Sequence, residues 1–159
     1  MKLDQLDLKI LELLQNNEML MPKLSKIAEK VGSTSTTVYR RIETLKKEGI
    51  ILGHTTRLDP KLIGKPLQSF IYLKIASNVG KEERNEFAGR LVNAYGVEAI
   101  YVPIGYWSYI LLARHEDVEE LDRFVQGELI KVPLQEIQID LISRTIKEGA
   151  LQLQPKKDH

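Results

Sequence analysis

The spacing of apolar residues changes character across "DPKLIGKP" (Asp59–Pro66), from helical spacing alone to strand and helix spacing in alternation, and such a chain must build two differently organised halves. Before that stretch, apolar residues recur three and four apart: Leu3, Leu6, Ile10, Leu13 and Leu14, then Leu24, Ile27, Ala28 and Val31, then Val38, Ile42 and Leu45. After it, "SFIYLKIA", "VEAIYVPIG", "YWSYILLAR" and "EIQIDLISRTI" read as strands, and "KEERNEFAGRLVNAYG" and "EDVEELDRFVQGELI" read as helices. Two prolines and a glycine mark the junction as a connector. The expected fold class is α+β. An N-terminal helix-turn-helix covers residues 1–58, a linker 59–66, and a ferredoxin-like βαββαβ sandwich 67–150, with a tail over 151–159.

Helix ends in the first half carry their own signals. Asp4 suits an N-cap, with Asp7 at the capping-box position. "QNNEM" breaks the first pattern, and Pro22 suits the first turn of the next helix. Gly32 stops the second helix and Gly49 the third. Thr34 can cap the third helix, with Thr37 three residues on. The following "IILGHTTRL" is expected to form a small wing or a strand.

The third helix has two unlike faces. Wound at helical pitch, Ile42 and Leu45 lie within about 40° of Val38, and Thr36, Arg40, Glu43 and Lys47 lie within about 40° of the opposite side. Tyr39 flanks one edge and Arg41 the other. Five hydroxyl residues, Ser33 to Thr37, lead into it. Two readings fit: a capped surface helix with paired arginines, or a helix laid against DNA. The second uses more of the pattern. A helix N-terminus attracts phosphate, and short hydroxyl side chains permit close approach. An arginine can read guanine, and lysines meet the backbone. The expected DNA-contacting residues are Thr34, Ser35, Thr36, Thr37, Tyr39, Arg40, Arg41, Lys46 and Lys47.

Charge supports that placement. The net charge is only +1, yet Lys23–Lys47 holds 7 basic residues against 2 acidic ones. A local patch matters more for a polyanion than the total does. The absence of cysteine excludes disulfides, thiolate zinc sites and cysteine nucleophiles. His54, His115 and His159 stand at no spacing that suggests a catalytic set, and neither a cofactor nor a metal is expected. Asp4 and Asp7 occupy the place of a signal peptide's basic start, and "YILLA" is far short of a bilayer span, so a cytoplasmic location is expected.

Several segments resemble one family. "LDQLDLKILELLQ", "LSKIAEKVGSTSTTVYRRIETLKKEGIILGH" and "RLDPKLIG" are similar almost throughout to the DNA-binding segment of the Lrp/AsnC transcription regulators. "VPIGYWSYILL" resembles that family's effector loop and "SRTIK" its last-strand ending, so the resemblance covers roughly Leu3–Glu148. It implies a winged helix-turn-helix joined to a ferredoxin-like effector and assembly domain. It also implies binding to double-stranded DNA, and homodimers that gather into tetramers or octamers. Regulation by an amino-acid-like effector at Gly105, Tyr106, Trp107 and Ser108 follows from the same resemblance. The family's loop usually reads Gly-x-x-Asp, and here it ends in Ser108. Its Pro-Gly before the last strand is replaced by Val132-Pro133-Leu134. A serine offers a ligand ammonium no charge, so weak binding of ordinary amino acids, a ligand without an ammonium, or constitutive DNA binding is expected. Tyr106, Trp107 and Tyr109 also suit core or dimer-interface packing. Two rival functions fit the same residues: an enzyme resembling the branch that decarboxylates sirohaem, and a small-molecule sensor that binds no DNA.

Strands of the second half carry apolar residues on both alternating sets, Ile71, Leu73 and Ile75 against Phe70 and Tyr72. Helices cover one face of such a sheet, so the other set predicts a second copy of the chain.

Overall fold

The structure is a computed structural model that describes residues 3–15 and 23–147. Pro22 and the tail 151–159 lie outside the described residues. The chain divides into two compact units, the first running to Arg57 and the second spanning Leu58–Thr145.

The first unit holds α1 (Gln5–Gln15), α2 (Leu24–Val31) and α3 (Ser35–Lys47). Reciprocal capping opens α1: the Asp7 N–H donates to the Asp4 carboxylate at 2.8 Å, and the Asp4 N–H to that of Asp7 at 3.1 Å. Gly32 ends α2 at φ 65°, a left-handed turn for which glycine has no steric penalty. Two residues later Thr34 caps α3, accepting from the Thr37 N–H at 3.2 Å. At its other end the Gly49 N–H reaches the Lys46 carbonyl and the Ile50 N–H the Leu45 carbonyl, the double closure of a Schellman turn. Ile10, Ile27, Ala28, Val38 and Ile42 form the shared core, and Leu6, Leu13, Leu14, Val31 and Ile51 pack around it. Each of the core isoleucines and Val38, fully buried, is worth about 1.5–3 kcal/mol.

The expected wing is not built from strands. Residues 51–59 form no regular element, and Leu52 and Leu58 are exposed. A lone extended segment has neither a ladder partner nor a surface on which to bury its leucines.

The second unit follows the expected order: β1 (Leu67–Ile75), α4 (Lys81–Val92), β2 (Val97–Tyr101), β3 (Tyr109–His115), α5 (Val118–Glu128), a 3₁₀ turn (Leu129–Lys131) and β4 (Leu134–Leu141). The sheet order is β2-β3-β1-β4, with every neighbouring pair antiparallel. Ile71, Leu73 and Ile75 face Phe87, Leu91, Leu121 and Phe124 in the core. Phe70 and Tyr72 point the other way and are half-buried; their cross-strand partners are Leu112 and Ile110 on β3, and Asp140 and Gln138 on β4. The expected connector is a hydrogen-bonded turn. The Lys61 N–H is held by the Asp59 carboxylate, and the Lys65 ammonium lies 2.6 Å from Glu120 of α5.

Four element ends differ from the sequence reading. β2 stops at Tyr101, leaving Val102 and Ile104 exposed, and β3 starts only at Tyr109. Val92 and Val118, on the apolar stripes of their helices by spacing, are exposed at the first or last helical position. A stripe narrows where the sheet beneath it ends.

Candidate functional site

The packing of α3 sorts its polar residues. Val38 and Leu45 are fully buried and Ile42 nearly so, and Ser35, Thr36, Tyr39, Arg40, Glu43, Lys46 and Lys47 are exposed. The hydroxyls of Thr34 and Thr37 bond each other at 2.9 Å within the cap. Arg41 turns toward α1, its Nη1 lying 2.8 Å from Asp4 Oδ2 and 3.3 Å from Asp7 Oδ1. The backbone bond from Asp7, then the Arg41 charge, holds the Asp4 carboxyl below its ordinary pKa. Lys46 pairs with Glu43 at 3.0 Å.

Of the nine residues expected at DNA, four therefore have work inside the protein. Ser35, Thr36, Tyr39, Arg40 and Lys47 are presented outward, and the side chains of Arg40 and Lys47 carry no ion pair among the described residues. Such a face offers hydroxyl donors, a planar guanidinium and an ammonium beside the N–H groups of a helix start. The pairing of Arg41 with α1 was not legible: spacing identified both partners' helices but not the angle at which they cross.

The loop after β2 is bound to the uncovered face of the sheet. The Ser108 N–H donates to the Leu73 carbonyl at 2.8 Å, and its hydroxyl accepts from the Ile75 N–H at 3.1 Å. Trp107 packs against Tyr72, ring centroids 5.5 Å apart, and meets Tyr106 edge-on at 5.1 Å. The Tyr106 hydroxyl donates to Glu136 of β4 at 2.7 Å, a bond that raises the phenol's pKa. The Lys74 ammonium donates to the Tyr106 carbonyl and stands 4.5 Å above the Tyr106 ring. The expected loop residues thus come together, and the structure adds Lys74, Tyr72 and Glu136. Strand alternation could have put these three on one face; the pairing that brings 136 beside 74 could not be read from spacing.

Among the described residues, no group of three or more His, Asp or Glu side chains could hold a metal ion, and no helix is long and apolar enough to cross a membrane. His115 ends β3 as a buried ring against Phe124, and burial lowers its pKa.

Comparison with known proteins agrees with both units. A profile of the AsnC-type helix-turn-helix domain matches residues 3–46, and one of the Lrp/AsnC ligand binding domain matches residues 68–151. An HTH-type transcriptional regulator of Pyrococcus horikoshii is 30% identical over 130 residues, 82% of this chain and 85% of that protein. The leucine-responsive regulatory protein of Haemophilus influenzae is 30% identical over 134 residues, 82% of this chain and 77% of its own length. A transcriptional regulator of Neisseria meningitidis, solved as a complex with L-methionine, superposes with a TM-score of 0.85 at 27% identity, covering 93% of this chain and 94% of that one.

Proposed function

Because this chain belongs to the Lrp/AsnC family of transcription regulators, we propose that the outward face of α3 is its DNA-reading surface and the Gly105–Ser108 loop its effector site. The chain is a DNA-binding transcription regulator with a ligand-binding domain, and it is not an enzyme. The observation that carries the DNA assignment is the division of α3: Val38, Ile42 and Leu45 are buried, and Arg40 and Lys47 stand on the opposite side with no ion pair among the described residues. In this reading Ser35 and Thr36 approach phosphate at the helix start and Arg40 meets a base edge in the major groove. Lys47 contacts the backbone, and Tyr39 flanks the groove. Arg41, Lys46, Thr34 and Thr37 hold the helix in shape and act at its margin.

The uncovered face of the sheet, centred on Phe70, Tyr72, Ile110 and Leu112, pairs two chains, and the dimers gather into tetramers or octamers in the cytoplasm. Two helix-turn-helix units related by a two-fold axis then meet a near-palindromic site whose half-sites are about one helical turn apart, or a multiple of it. The L-methionine complex of the Neisseria meningitidis regulator supports an amino-acid-like effector here. Selecting bound duplexes from random DNA tests the whole reading. A recovered near-palindrome with that spacing supports it, and recovery of unselected sequence counts against it.

A further inference from the structure

We infer that this chain recognises a zwitterionic α-amino acid through the Glu136 carboxylate and the Lys74 ammonium, with the Tyr106 phenol as a built-in occupant that the ligand displaces. The inference rests on the effector reading of the Gly105–Ser108 loop and supplies what that loop itself lacks. Ser108 stands where the family's loop usually has a carboxylate, and its neutral hydroxyl, which accepts from the Ile75 N–H at 3.1 Å, offers no charge. A ligand ammonium therefore needs another anion.

Glu136 is placed to be that anion. It lies directly across from Lys74 in the β4–β1 register, on the uncovered face of the sheet. Opposite charges at such a position ordinarily pair with each other. Here both are turned onto Tyr106: Glu136 accepts from its hydroxyl at 2.7 Å, and Lys74 binds its carbonyl and stands 4.5 Å over its ring. The loop tyrosine is thus held by an anion at its far end and a cation at its near end. A free amino acid carries the complementary pair, an ammonium for Glu136 and a carboxylate for Lys74. An ammonium is a stronger donor to a carboxylate than a neutral phenol is, so the exchange at Glu136 favours the ligand. Trp107, in edge contact with Tyr106 and packed on Tyr72, offers an aromatic surface for the ligand's side chain. An amine or an acid alone lacks one of the two charges.

Trp107 is the chain's only tryptophan, so its fluorescence reports displacement of the ring that touches it. The experiment titrates the full chain with each of the twenty L-amino acids at pH 7, by calorimetry and by Trp107 fluorescence. The tightest binder is then repeated as its methyl ester and its N-acetyl derivative. Glu136→Gln should weaken binding about ten- to a hundredfold, the loss of a charge-assisted bond. Tyr106→Phe removes only the competing hydroxyl and should tighten binding about two- to tenfold. Both blocked derivatives should bind at least tenfold more weakly than the parent. Binding that is indifferent to Glu136→Gln and to N-acetylation, yet lost in Trp107→Ala, overturns the Glu136–Lys74 assignment and leaves the loop as the effector site. Binding of no amino acid by either the wild type or Tyr106→Phe overturns both.

Discussion

The guanidinium of Arg41 lies 2.8 Å from the Asp4 carboxylate, so the arginine next to Arg40 ties α3 to the first turn of α1. Adjacent residues of one helix point about 100° apart, and here that rotation separates an interior role from an outward one. Asp7, 1% exposed, shares the same guanidinium. Arg41→Ala should destabilise the protein by about 1 kcal/mol, between the values for an exposed pair and for a buried charge left alone. Denaturant unfolding of single and double variants with Asp4→Ala measures it. A coupling energy near zero would detach Arg41 from α1 and return it to the DNA-facing set.

Ser108 is expected to matter to the fold. Its hydroxyl satisfies the Ile75 N–H just past the end of the β1–β3 ladder, whose last pair is Leu73 with Tyr109. Ser108→Ala should cost about 1–3 kcal/mol, the penalty of an unmade bond to a buried N–H. Thermal unfolding checks this. An unchanged melting temperature would mean that water or a neighbouring group replaces the hydroxyl.

Acid should weaken the second unit in two steps. His115 is buried and its pKa is lowered from 6.5 by loss of hydration, so the folded protein favours the neutral ring. As pH falls below about 6.5 the unfolded chain takes up a proton that the folded chain resists, and stability declines until the lowered folded pKa is reached. Glu120, its pKa lowered from 4.5 chiefly by the bond from Lys65, adds a second loss as pH falls further. Unfolding free energies between pH 7 and 5 should therefore slope downward in the wild type and flatten in His115→Leu. An equal slope in both would assign the effect to other groups.

Assembly is tested through Phe70. It sits half-buried on the sheet face that no helix among the described residues covers, opposite Leu112. Phe70→Glu places a charge in the proposed dimer contact and leaves the helix-covered core of Ile71 and Leu73 untouched. Light scattering should give a dimer or larger assembly for the wild type and a smaller species for the variant. A monomeric wild type at micromolar concentration would contradict the pairing.

The sequence made some features legible and hid others, for physical reasons. Asp4 with Asp7, Thr34 with Thr37, Gly32 and Gly49 are local devices, complete within four residues, and each was found where its chemistry requires it. Alternation likewise separated Ile71 and Leu73 from Phe70 and Tyr72. What spacing cannot carry is contact between distant segments. The bonds from Arg41 to Asp4, from Lys65 to Glu120 and from Tyr106 to Glu136 join residues 37, 55 and 30 positions apart, and each depends on how elements pack. The wing failed for a related reason: "IILGHTTRL" has strand composition, but composition does not supply a partner strand.

The DNA-reading assignment of α3 is tested most directly by the affinity of Arg40→Ala for a selected site and for a random duplex, measured side by side at one salt concentration. The account predicts that the variant loses about 1–3 kcal/mol on the selected site and much less on the random one, so that preference itself collapses. Lys47→Ala, measured alongside, should weaken both duplexes alike and lower the salt slope by about one unit. Arg40→Ala with the affinity and the preference of the wild type would contradict the account, because the exposed guanidinium at the centre of the outward face would then read nothing.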